Sequence, residues 1–243
     1  MSGAAKGEES ASRPSGKRLF LSALKYSFPV FLGYITIGIA FGLFTADAGY
    51  PWWIAVLTSL VIYAGAGQFI AVGLFAAGAG LAECMLIELV VNARHMAYGL
   101  TMLKRFKNAR PYKWYLIFAL SDETFALLSS LPEEQSAPRF LFLVSILNQG
   151  YWVAGTLIGA LAGSLIPFDT EGVGFALTAL FVVLMIEQMR RVKNPLVFIS
   201  SAAAAVLGVI FLPPRLALLG AMIASLIFLG MVDMRGGKNE GTA

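Results

Sequence analysis

Apolar residues fall into eight runs along the chain, at 26–46, 52–77, 81–103, 114–131, 139–166, 173–189, 195–212 and 215–232. Turn-forming clusters separate them: Asp47 to Pro51 after the first, Pro132-Glu133-Glu134 after the fourth, Pro167-Phe168-Asp169 after the fifth, and Pro213-Pro214 between the last two. A membrane-crossing helix needs about 20 predominantly apolar residues. The pattern therefore predicts an all-α, polytopic integral membrane protein with about seven or eight membrane segments and almost no extramembrane domain.

Within the runs, polar punctuation predicts broken or re-entrant helices. Gly65-Ala66-Gly67-Gln68-Phe69 interrupts the second run and Asn148-Gln149-Gly150-Tyr151-Trp152 the fifth, each followed by further glycines. Their spacing suggests a weak internal repeat of about 83 residues, with repeat 1 at about 26–103, repeat 2 at about 114–189 and a C-terminal helix pair at 195–232. Glycine-interrupted segments at matching places in two halves point to a transporter binding site.

Composition agrees with this reading: 58% of the 243 residues are apolar and 13% charged, against roughly 45–50% and 25% in soluble domains. A soluble cytoplasmic enzyme is thereby disfavoured. The net charge of +4 sits in short basic loops beside apolar runs, which reads as a topology signal and not as a nucleic-acid surface. Residues 1–20 read as a disordered cytoplasmic tail followed by a retained helix, not a cleaved signal peptide. Residues 21–235 form a single transmembrane transport domain and 236–243 a C-terminal tail. One parity question stays open. If every segment crosses fully, the basic loop at 104–113 lies opposite the N-terminus; if one segment in each triplet is re-entrant, all basic clusters share the cytoplasmic side.

Charge inside the apolar runs carries the chemistry. On a helix Glu88, Asn92 and His95 share one face, and Arg94, Tyr98 and Thr101 make a second stripe. Ser121-Asp122-Glu123-Thr124-Phe125 places two adjacent carboxylates inside the fourth run. Ionisable groups in hydrocarbon cost roughly 2.5–3.5 kcal/mol each on insertion scales, so these side chains face protein or a wet cavity. One carboxylate is expected to pair with Arg94 and the other to face the pathway; burial and a nearby cation act on such a carboxyl in opposite senses. A purely structural ion pair is the plainer alternative, as is helix–helix glue for Gln68, Asn148 and Gln149. Glu187 beside Arg190 reads as an interfacial salt bridge. Gly38-x-x-x-Gly42 and Gly155-x-x-x-Gly159-x-x-x-Gly163 are faces for close helix approach. With one His, one Cys and no nucleotide-binding glycine loop, neither a metal, a cofactor nor nucleic acid is expected.

Phe28-Pro29, Gly38-x-x-x-Gly42, Tyr63 to Phe69, Val91-Asn92-Ala93-Arg94-His95-Met96-Ala97-Tyr98 and Ser121 to Phe125, in this order, resemble the AzlC family, the large subunits of branched-chain amino acid exporters of the LIV-E type. The resemblance covers roughly residues 20–235. It implies a bacterial inner-membrane carrier, exporting leucine, isoleucine, valine and sometimes methionine, with a small hydrophobic AzlD-type partner subunit.

The expectation is thus a secondary transporter, not an enzyme, multi-pass in the inner (plasma) membrane with a cytoplasmic N-terminus. It moves a neutral hydrophobic amino acid through a cavity lined by the broken second and fifth segments and by the third and fourth. A channel-like pore or an assembly subunit for another small solute is the alternative. The expected substrate-binding residues are Gly65, Gly67, Gln68, Phe69, Asn92, Arg94, Asp122, Glu123, Asn148 and Gln149, with Phe125 and Trp152 as further apolar wall. Those for proton coupling are His95, Glu88, Asp122 and Glu123.

Overall fold

Glycine faces on two long helices set the frame. In the computed structural model the described residues are 16–132, 137–165, 182, 185, 186, 189, 195–213, 220, 221, 223–225 and 227–229. Eight helices can be bounded among them, and no strand. Helix α1 (Gly16–Asp47) and helix α7 (Pro138–Leu165) touch along their backbones. A methyl group at Gly38 would lie 2.9 Å from the Trp152 carbonyl, and one at Gly155 2.7 Å from that of Ile35. Gly42 likewise abuts Thr156, Gly159 abuts Ile39 and Gly163 meets Ala46. Residue numbers rise together along this seam, so the two helices run parallel. In lipid such close approach replaces water exclusion as the force that joins helices.

Between them the chain makes two hairpins of short helices. Helix α2 (Trp52–Val61) runs along α7 toward its middle: Ser59 Oγ is 2.9 Å from Thr156 Oγ1, and Gln149 Nε2 donates to the Leu60 carbonyl at 3.1 Å. The helix breaks at Ile62 to Gly65, and α3 (Ala66–Ala76) turns back. Its Phe69 ring packs on Phe41 and Phe44, and Gly73 faces Phe44. At ten and eleven residues each arm is about 15–16 Å long, half of a ~30 Å hydrocarbon core.

Helix α4 (Leu81–Met102) then runs the length of the bundle to the end where α1 begins; Met102 packs there with Ala23 and Phe140. A second hairpin rises from that end. Helix α5 (Lys113–Phe118) climbs α7, with Tyr112 stacked on Phe142 and the Tyr115 hydroxyl donating to Gln149 Oε1 at 2.7 Å. After a break at Ala119 to Ser121, α6 (Asp122–Ser130) descends, so that Leu128 and Leu131 join Met102, Phe106 and Leu141. Arg105 ties the basic loop to the carbonyls of Leu131 and Pro132. Helix α8 (Pro195–Phe211) completes the bounded elements.

Several expectations change. The fifth run is not interrupted: α7 passes through Asn148, Gln149 and Gly150 as 28 continuous residues. The second break lies in the fourth run, and the 83-residue pairing of interruptions does not hold. Helix α1 starts at Gly16, inside the stretch read as tail. The basic loop at 104–113 lies at the end of the bundle where α1 begins, as the re-entrant alternative requires. Among the described residues α1 and α7 are long and apolar enough to cross a membrane; α4 has 22 residues but carries Glu83, Glu88 and Arg94. The predicted segments 173–189 and 215–232, the 236–243 tail and Glu187 lie largely or wholly outside the described residues.

Candidate functional site

Each hairpin tip is the N-terminus of a short helix, and the two tips are built from different chemistry. Tyr63 and Gly65 both take φ of 47°, and α3 starts at Gly65 with no side-chain cap and no acid in its first turn. Helix α6 starts at Ser121, whose hydroxyl accepts the Thr124 N–H at 3.2 Å, and Asp122 and Glu123 stand in its first turn. Ser and Asp are favoured at such a start because they satisfy or complement unpaired N–H groups.

One turn of α7 holds both tips. Trp152 Nε1 donates to Gln68 Oε1 at 3.0 Å, and Gln68 Nε2 donates in turn to Ser59 Oγ at 3.2 Å. Asn148 Nδ2 donates to Thr124 Oγ1 at 3.1 Å. From α1 the Tyr34 hydroxyl contacts Ser121 Oγ and donates to Glu123 Oε2 at 2.8 Å. From α4, Arg94 pairs with Asp122 Oδ2 at 3.0 Å, and the Tyr98 hydroxyl donates to Asp122 Oδ1 at 2.7 Å.

Between the tips lies a cavity of about 270 Å³. Gly65, Ala66 and Phe69 bound it on the α3 side, Ser121, Asp122 and Glu123 on the α6 side, Arg94 and His95 on α4, and Tyr34, Ile37, Tyr63 and Trp152 elsewhere. It is small against the roughly 300–1,000 Å³ of drug-sized pockets, a scale that suits one small solute.

Of the expected residues, Gly65, Phe69, Arg94, His95, Asp122 and Glu123 meet at this cavity. Asp122 is the carboxylate paired with Arg94, and Glu123 is bonded to Tyr34. Gln68, Asn148 and Gln149 instead hold the hairpins to α7. Gly67 is buried against Glu88 and Asn92, which bond to each other at 2.7 Å. Phe125 stacks on Tyr98 with ring centroids 4.3 Å apart, in the core at the basic end, and is not a cavity wall. Tyr34 escaped the sequence reading. Its signal was a phenol in the middle of the first apolar run, four residues before Gly38.

Residues 29–166 match the family model described as AzlC protein. A Bacillus subtilis protein named "Branched-chain amino acid transport protein AzlC" is 34% identical over 212 residues, 84% of this chain and 84% of that one. An "Uncharacterized membrane protein" of Helicobacter pylori strain J99 is 45% identical over 181 residues, 72% of this chain and 79% of its own. The "Inner membrane protein YgaZ" of Escherichia coli is 29% identical, covering 93% of this chain and 96% of that one. No solved structure matches.

Proposed function

The chain belongs to the AzlC family, and from that premise we propose that it is a secondary transporter exporting branched-chain or other neutral hydrophobic amino acids across the inner membrane. The observation that carries the reading is the asymmetry of the cavity. A zwitterion needs an anion site and a cation site a few ångströms apart beside an apolar socket. The uncapped α3 start at Gly65 and Ala66 presents the positive end of a helix, which suits the carboxylate. Asp122 and Glu123 across the cavity suit the ammonium. Ile37, Phe69 and Trp152 form the socket for the aliphatic side chain. The name of the Bacillus subtilis relative supports this substrate class.

The finer proposals rest on the same site. Export is proton-coupled, with His95, Glu88, Asp122 and Glu123 as the groups able to take a proton. The chain acts as the large subunit beside a small AzlD-type membrane protein. It is multi-pass, and the basic end of the bundle, with the N-terminus, faces the cytoplasm.

Efflux of labelled leucine from loaded proteoliposomes tests this, comparing wild type with His95→Ala and Asp122→Asn. Saturable efflux with counterflow is expected of wild type. Asp122→Asn removes charge-assisted bonds of about 1.5–3 kcal/mol each, so a loss of at least ~10-fold is expected at about 1.4 kcal/mol per decade. Full activity in both variants removes the site assignment; flux without saturation makes the protein a pore.

A further inference from the structure

Behind the α3 wall of the cavity, two buried acceptor atoms face a missing donor. Glu88 and Asn92 lie one turn apart on α4, and Asn92 Nδ2 donates to Glu88 Oε2 at 2.7 Å. The other oxygen of each group, Glu88 Oε1 and Asn92 Oδ1, is buried with no hydrogen-bond partner among the described residues. A methyl group at Gly67 would lie 2.8 Å from both Glu88 Oε2 and Asn92 Nδ2, so the pair is pressed against the first turn of α3. In that turn the N–H groups of Gly67, Gln68 and Phe69 point instead to the carbonyls of Ala64 and Gly65.

One proton supplies what is missing. On Glu88 Oε1 it makes a carboxylic acid that accepts from Asn92 on one oxygen and donates to Asn92 Oδ1 with the other, a cyclic acid–amide pair. We propose that Glu88 and Asn92 form a proton-binding site, set behind the cavity wall and pressed on α3 through Gly67. The inference rests on the transporter reading and names the group that carries its coupling ion.

The surroundings suit a proton that comes and goes. Helix α3 bears no ionisable side chain, and its electropositive start favours the carboxylate, opposing the unpartnered acceptors that favour the acid. Among the described residues, the other charged or titratable groups of this part of the bundle include Glu83, Cys84, Arg94 and His95 on α4 itself and, on α6, Glu123 and Asp122, the last held by Arg94 and Tyr98. The state of Glu88 reaches the substrate through Gly67, the neighbour of Ala66 in the cavity wall.

The test uses the full chain in proteoliposomes. Glu88→Gln reproduces the cyclic pair with an amide and cannot release a proton. The ratio of leucine flux driven by an imposed pH gradient to leucine counterflow is expected to fall at least tenfold; a ratio equal to that of wild type overturns the proposal. Infrared spectroscopy needs no substrate. Wild type is expected to show a protonated-carboxyl carbonyl band that Glu88→Gln lacks and that Asn92→Ala shifts by removing the acceptor. Absence of the band in wild type, or a band unmoved in Asn92→Ala, overturns the proposal. A wild-type band together with no leucine flux upholds the proton site and removes the amino-acid reading instead.

Discussion

The two hairpins share one architecture and carry opposite chemistry. Each is a pair of short helices whose tip reaches the same turn of α7, one from either end of the bundle. Each second arm opens on a helix start, Gly65 or Ser121, and three positions later offers α7 a side chain, Gln68 to Trp152 and Thr124 to Asn148. The α6 tip is complete in itself: Ser121 caps it, acids occupy its first turn, and Arg94, Tyr98 and Tyr34 bind those acids. The α3 tip has none of this. The Gly67 and Gln68 N–H groups of that start turn onto the Ala64 and Gly65 carbonyls, so what it lacks is a counter-charge for its positive end, which an anion supplies; the difference between the tips gives the site its direction.

Giving the α3 tip the dress of the other breaks the comparison most sharply. Ala66 lines the cavity at the first helical position, and Ala66→Asp places a carboxylate there. By the helix-dipole effect this stabilises α3 by about 0.3–1 kcal/mol, so the thermal midpoint in detergent is expected to hold or rise. Leucine efflux is expected to fall at least ~100-fold, about 2.8 kcal/mol at about 1.4 per decade, because a fixed anion fills the place of the substrate carboxylate and faces Asp122 and Glu123. Retained efflux at equal expression shows that the bare start does not bind substrate.

Gly65→Ala asks why the α3 tip is glycine. At φ 47° and ψ −104° the residue lies outside every well open to an L side chain, while nothing stands within 4 Å of an added methyl. The penalty is then backbone conformation alone, about 1–3 kcal/mol, a fall of several degrees in the midpoint at about 2–4 °C per kcal/mol. An unchanged midpoint means the turn relaxes without strain.

Much of this site was legible because charge is conspicuous in an apolar chain. Arg94, His95, Asp122 and Glu123 stood out for that reason and meet at the cavity. The α4 run at 81–103 and the turn at Asp47 to Pro51 were plain from periodicity and breakers. The second break was misplaced for a physical reason. Asn148-Gln149-Gly150 looked like an interruption, yet a mid-helix glycine costs only about 1 kcal/mol, and both amides find partners on the hairpins, so the helix persists. The true break at Ala119 to Ser121 holds no glycine or proline; its sign was a helix start, Ser121 followed by two acids, hidden inside a run read as one segment. Tyr34 lines the cavity and bonds residues 87 and 89 positions away, contacts that no local pattern records. Glu88 was placed on one face with Asn92 and His95, and it does bond to Asn92, while His95 turns to the cavity.

The smallest expected effect belongs to the α6 tip, and it is the one that makes the contrast quantitative. Ser121→Ala removes the acceptor for the Thr124 N–H and the contact with Tyr34, but leaves φ and ψ in the extended region that alanine readily adopts. Loss of a serine cap costs about 1 kcal/mol, a fall of about 2–4 °C in the midpoint, and Ser121→Thr should restore it because the hydroxyl returns. Asp122 and Glu123 remain in the first turn to oppose the helix dipole, so the tip is weakened without being stripped. The two tips therefore respond to alanine by different mechanisms, one through backbone geometry and one through the hydrogen bonds of one hydroxyl. A Ser121→Ala loss as large as that of Gly65→Ala, or one that Ser121→Thr does not repair, would mean that the α6 tip depends on something other than its own cap, and the division between a self-satisfied and a substrate-satisfied helix start would fall.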